Sequence, residues 1–280
     1  MNNKINVAII DLYNGEENQG IRCIKDILNE IDCHYPNISV EYKQFETRLN
    51  GDIADGNFDI YISSGGPGSP WEGESTEWES KYFNLMDRIW SHNQNNETKK
   101  YVFFICHSFQ IMTRYFKFGK VIKRNSKSFG VMPVHKTEAG NSDPLLKQLP
   151  DPFYGADFRD WQVVQPDQKV FEELGAQIIC IEKERLHVPF ERAVMAVRIN
   201  NEFVGTQFHP EADGASMYYH FRKPERKEQV VGKYGEKKYY EMLDLLNNPN
   251  GIMLTQKTVL PNFIKHAISE LRPEAVEDKK

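Results

Sequence analysis

Short apolar stretches separated by helix-length segments constrain the fold of this chain more than any other feature. Asn6 to Asp11 is a continuous apolar run closed by an aspartate. Val40 to Phe45 alternates, Phe58 to Ser63 runs into a glycine-rich loop, and Lys100 to Ile105 is apolar again. Runs of this length suit strands, and the continuous ones suit strands buried on both faces. Between the first two, Ile21, Ile24, Ile27, Leu28 and Ile31 recur at helical intervals; Thr76 to His92 and Phe109 to Phe118 also read as helices. Strand–helix alternation implies right-handed crossovers and a parallel sheet. The expected class is therefore α/β, with a doubly wound, mostly parallel sheet flanked by helices.

The pattern then changes. Val121 to Gln165, interrupted by Pro133, Pro144, Pro150 and Pro152, predicts short antiparallel strands and loops. Gln177 to Glu182 and Ala193 to Ile199 read as strands, and the Asn200-Asn201 turn predicts a hairpin closed by Glu202 to Phe208. Residues 214–280 are charged and helical in pattern, with Tyr239, Met242, Leu243, Leu245 and Leu246 in one stretch and an amphipathic helix over Leu260 to Leu271. The expected organisation is an α/β domain over 1–213 and a helical C-terminal extension over 214–280 packed on it, with a frayed tail from Arg272.

Composition excludes several function classes. A net charge of −5 gives no general basic face for nucleic acid, and the basic stretch Arg222 to Lys238 is diluted by Glu225, Glu228 and Glu236, as in a solvated mixed-charge face. No run approaches the ~18 apolar residues of a membrane helix, and the N-terminus lacks a signal peptide's apolar stretch. The four cysteines, Cys23, Cys33, Cys106 and Cys180, form no Cys-x-x-Cys pair or Cys/His cluster. We expect no metal, no cofactor and a reducing, cytoplasmic setting.

Three segments could do chemistry. Cys106 follows a strand and precedes a helix, where ligands gather in an open α/β sheet, and a helix N-terminus favours the thiolate. Taken alone, a cysteine reads first as a buried core thiol. A thiolate nucleophile needs a base and an orienting group; His209-Pro210-Glu211 offers both, because residues two apart on an extended segment share a side. Alone, that tripeptide could be a capped strand end. Ser64-Gly-Gly-Pro-Gly-Ser-Pro70 can turn sharply and present N–H groups to a developing oxyanion, or be only a loop. No Gly-Lys-Ser/Thr follows, so it is not a phosphate loop.

In this order the segments resemble the class I glutamine amidotransferases. Ser64-Gly-Gly-Pro-Gly68 corresponds to the family's Gly-Gly-Pro-Gly loop, Phe104-Ile-Cys-His-Ser-Phe-Gln110 to Gly-x-Cys-x-Gly-x-Gln, and Gly205-Thr-Gln-Phe-His-Pro-Glu211 to Gly-x-Gln-Phe-His-Pro-Glu. The resemblance spans roughly residues 5–212 and implies a flavodoxin-like fold. It also implies Cys106 as nucleophile, His209 as base and acid, and Glu211 as orienter. The N–H groups of Gly66 and His107 would form the oxyanion hole. Gln110 would hold the substrate, and Phe129 and Gly130 belong to a segment lining its pocket. The implied reaction takes glutamine through a γ-glutamyl thioester to glutamate and ammonia.

Two stretches depart from the family pattern. Phe104 and Ser108 replace small residues at the elbow, where bulk is expected to alter the turn or reshape the pocket. Phe158-Arg159-Asp160 stands where the family often has His-x-Asp. His107 is read as structural or pocket-shaping rather than as the base, because neighbouring side chains diverge at a helix start. No ATP-binding motif is visible, so any ammonia acceptor would lie on a separate synthetase chain docked in part by 214–280. The alternatives are a stand-alone γ-glutamyl peptidase or related cysteine hydrolase, and a binding-only member of the family.

Overall fold

The apolar runs become the centre of a nine-stranded sheet in the computed structural model, which describes residues 3–184 and 191–274. The parallel half is built by β1 (Lys4–Asp11), β2 (Ser39–Glu46), β3 (Ile60–Ser63), β4 (Tyr101–Ile105) and, arriving late in the chain, β9 (Phe203–Thr206). Their order is β2-β1-β3-β4-β9, every pairing parallel. β3 and β4 are buried along their whole length, as central strands with both faces covered must be.

Helices cover both faces of this half. On one lie α1 (Gly20–His34) and α10 (Ile252–Leu271), whose Ile24, Ile27, Leu28, Phe263 and Ile264 pack against Val7, Ile9, Ile62, Phe103 and Ile105. On the other lie α3 (Glu77–Asn95) and α4 (His107–Phe116), whose Tyr82, Leu85, Ile89, Phe109 and Met112 pack against Ala8, Ile10, Tyr61, Val102 and Phe104. The Thr76 side chain caps α3 by accepting from Glu79 N–H. A short α2 (Thr47–Asn50) follows β2.

The expectation of a mostly parallel sheet needs correction. The remaining strands, β5 (Lys120–Lys136), β6 (Phe153–Val164), β7 (Ala176–Glu182) and β8 (Val194–Ile199), extend the sheet as β9-β8-β6-β5-β7 with antiparallel pairings throughout. Helical crossovers stop at α4. From β5 onward the links run through α5 (Glu138–Ser142), α6 (Gln168–Leu174) or the Asn200 turn, and none of these joins two parallel neighbours. Nor are the strands of Val121 to Gln165 short: β5 and β6 run 17 and 12 residues, absorbing an irregularity between Lys123 and Ser128. Pro133 lies inside β5, one residue before the β7 ladder begins at Val134.

The last helices are α7 (Gly214–Arg222), α8 (Pro224–Tyr234), α9 (Glu236–Asn247) and α10. The first three gather Phe221, Val230, Tyr239, Met242 and Leu246 over Val131 of β5. The terminal helix starts eight residues before the expected Leu260 and contains Pro261. Among the described residues no helix is long and apolar enough to cross a membrane. Most of the tail read as frayed lies outside the described residues.

Candidate functional site

The site is built where the two halves of the sheet meet. Cys106 is both the last rung of the sheet and the first residue of a helix: its N–H donates to the Thr206 carbonyl at 2.7 Å, and its own carbonyl accepts from Gln110 N–H at 3.1 Å. Serving both elements forces φ 49° and ψ −94° on a non-glycine residue. Such a conformation costs on the order of 1–3 kcal/mol and persists only where its surroundings determine it.

Ser108 is part of that determination. Its hydroxyl accepts from Ile105 N–H at 2.7 Å and donates to the Ser63 carbonyl at 2.7 Å, tying the elbow to the end of β3. Phe104 does not crowd the thiol. Its ring lies with Val102 in the cluster under α3 and α4, with Phe203 at a centroid distance of 6.3 Å. Alternation alone would put Cys106 on that same side, but the turn at its positive φ breaks the strand and places it in the opposite cluster. Both elbow departures are thus absorbed, one by the turn at Cys106 and one by a bridging hydroxyl.

β9 ends at Thr206, and the chain beyond it makes a single bridge, His209 to Ala156 of β6, with His209 N–H donating to the Ala156 carbonyl at 2.9 Å. This places His209 and Glu211 on one side, as their spacing implied. Nδ1–H of His209 donates to Glu211 Oε1 at 2.8 Å, and Cys106 lies near enough to the imidazole to raise its pKa. Burial works against the charged imidazole, but Glu211 and then Cys106 outweigh it, and the His209 pKa is raised well above its usual value. Glu211 Oε2 is buried without a partner among the described residues, so that oxygen's charge is shared with no other donor.

The other thiols differ. Burial, reinforced by Glu211, pushes Cys23 up to about 11, and burial raises Cys180 well above its normal range. His107 is buried next to the elbow, and burial, then Arg48 and Arg114, lower its pKa to about 3. Gln207 Nε2 lies 3.6 Å from Cys106 Sγ, and its Oε1 accepts from Gln110 Nε2 at 3.1 Å, so Gln110 reaches the thiol through Gln207. Phe129 and Gly130 lie farther off. Phe129 stacks on Tyr234 at 4.6 Å under the last helices, and Gly130 faces Met242 while pairing with Asp157, next to Ala156.

Sequence reasoning missed two neighbours. The glycine loop passes so close that a Cβ on Gly65 would lie 2.7 Å from His209 Cε1 and 3.1 Å from the Tyr13 hydroxyl. The Tyr13 hydroxyl thus lies at the same glycine as the imidazole; burial first, then Glu211 and Cys106, raise its pKa and keep the phenol protonated. Arg48 lies beside the same loop, with its side chain 6% exposed. Neither belongs to a motif, and no local pattern singles them out.

The family model described as glutamine amidotransferase class-I matches residues 18–222. No curated protein matches. Among solved structures the chain is similar to a glutamine amidotransferase from Thermotoga maritima, with 16% identity and a TM-score of 0.64 over 94% of this chain and 98% of that one. A glutamine amido transferase from Methylobacillus flagellatus gives 14% and 0.61 over 96% and 94%. The acivicin-bound glutaminase domain of a Trypanosoma brucei CTPS gives 13% and 0.53 over 74% and 86%. At these identities the likenesses show a shared fold.

Proposed function

Because this chain belongs to the class-I glutamine amidotransferases, as the match over residues 18–222 shows, we propose that it hydrolyses the side-chain amide of glutamine. The observation that carries the reading is the relay from Glu211 Oε1 through His209 to Cys106, aimed at a thiol on a strained elbow. The Cys106 thiolate attacks the amide carbon, forming a carbon–sulfur bond as the carbonyl electrons move to oxygen. The N–H groups of Gly66 and His107 receive that oxyanion. The His209 imidazolium gives its proton to the departing nitrogen, releasing ammonia and leaving a γ-glutamyl thioester. His209 then takes a proton from water as it attacks, and glutamate leaves with the thiol restored. Gln110, set by Gln207, helps hold the substrate, and the segment with Phe129 and Gly130 closes its far side.

The ammonia acceptor belongs to a separate synthetase chain, with 214–280 contributing to its docking. The free thiol suits a reducing cytoplasm. The test is glutamate release from glutamine and from γ-glutamyl peptides, with and without a candidate synthetase, beside a Cys106→Ala variant. Loss of the nucleophile should cost at least about a hundredfold in rate. Turnover of γ-glutamyl peptides alone would favour the peptidase reading, and unchanged turnover in Cys106→Ala would end both.

A further inference from the structure

We infer that Arg48 is a positioning residue for the oxyanion hole: its guanidinium holds the glycine loop and the elbow helix in register, so that the Gly66 and His107 N–H groups converge. The inference rests on the glutaminase reading for its kinetic consequence, but its geometry stands apart from that reading. Arg48 Nη1 donates to the Leu12 carbonyl at the end of β1 at 3.0 Å and to the Pro67 carbonyl in the loop at 2.9 Å. The same nitrogen lies 3.4 Å from Nε2 of His107, the residue after the nucleophile. Nη2 meets Glu72 Oε2 at 3.2 Å, while Glu72 Oε1 accepts from Ser69 N–H at 3.0 Å. One side chain thus touches the end of β1, the middle and far end of the loop, and the elbow helix.

The loop is shaped to this contact. A Cβ on Gly66 would meet the Leu12 carbonyl at 2.4 Å and Arg48 Nη1 at 3.1 Å, so the backbone can approach only because no side chain intervenes. His107, neutral with its pKa near 3, brings no like charge against the guanidinium it touches. Among the described residues the guanidinium's ion-pair partner is the exposed carboxylate of Glu72, with the Trp78 ring 5.7 Å away, and burying a guanidinium against two carbonyls on those terms is costly. Its return is geometric, because a planar fork spans several acceptors at fixed angles and an ammonium does not.

Two full-length variants test this, Arg48→Met and Arg48→Lys, each with three readouts. Backbone amide exchange at 65–68, measured without substrate, should accelerate at least tenfold in Arg48→Met while β1 and β4 stay protected. Glutamine kcat should fall by about 10²–10³, the usual cost of a misplaced oxyanion donor, with KM within threefold. Iodoacetamide alkylation of Cys106, which needs only the thiol and its imidazole, should hold within twofold. Arg48→Lys should recover less than a tenth of wild-type kcat, and it carries the test if Arg48→Met does not fold. Wild-type exchange at 65–68 overturns the inference, as does unchanged kcat or alkylation falling in step with kcat. If the wild-type protein turns over no glutamine, the glutaminase reading fails and the exchange comparison alone decides the role of Arg48.

Discussion

At the scale of single residues, the site depends on a charge that burial opposes. His209 is the group whose pKa is raised by Glu211 and Cys106 against its own desolvation. A histidine whose folded pKa exceeds its unfolded value, near 6.5, adds stability that is complete below that value and is lost as pH climbs through the folded one. The unfolding free energy of the wild type should therefore decline as pH rises from about 6.5. Glu211→Gln keeps the shape but removes the foremost group raising that pKa, so the decline should flatten. Urea denaturation of both proteins from about pH 6 to about pH 9 checks it, and equal slopes would refute it. His209 and Glu211 were placed together in the sequence because a period-two spacing puts their side chains on one side, and Cys106 stood out by its place between a strand and a helix. Tyr13 and Arg48 were not: each reaches the site across elements far apart in sequence.

Elements show the same division. The strands through β4 were readable as short continuous or alternating apolar runs, and the helices α1, α3 and α4 because each carries an unbroken period of 3.6. The length of β5 was hidden by Pro133, which ordinarily demotes a strand. The antiparallel strands after Val121 and the Asn200 hairpin were readable, but not that they make up half of one continuous sheet, because pairing partners are set by connections and not by local pattern. The elbow joins these elements, and Ser108 shows how tightly. Ser108→Ala would strand the buried Ile105 N–H and take away the hydroxyl that donates to the Ser63 carbonyl. The expected cost is about 1–3 kcal/mol, the penalty of an unsatisfied buried donor. A shifted denaturation midpoint with unchanged m-value would report it; a midpoint equal to wild type would mean that the hydroxyl adds nothing to holding β3 and β4 together.

At the scale of the whole molecule, the family match stops at residue 222, yet the parallel half of the sheet is finished only by α10. That helix is laid across one face. Near its start Thr255 donates to the Tyr154 carbonyl of β6 at 2.6 Å, and just past its end Arg272 donates to the Lys4 carbonyl of β1 at 2.8 Å. Between these ties Phe263 meets Phe103 at 5.1 Å and Tyr101 at 6.3 Å, edge to face. Ile105, the residue before the nucleophile, belongs to the same cluster. A chain ended at 222 would bare the Phe103 and Ile105 face of β4 and remove the wall behind the elbow, so it should lose cooperative unfolding as well as activity. Phe263→Ala tests the same dependence more gently. It should cost about 3–5 kcal/mol, as large-to-small changes at buried aromatic positions do, and it should raise the alkylation rate of the buried Cys106, because the wall loosens before the chain unfolds. A truncated chain that melts cooperatively with glutaminase activity intact would show that the fold and its site are complete without α10.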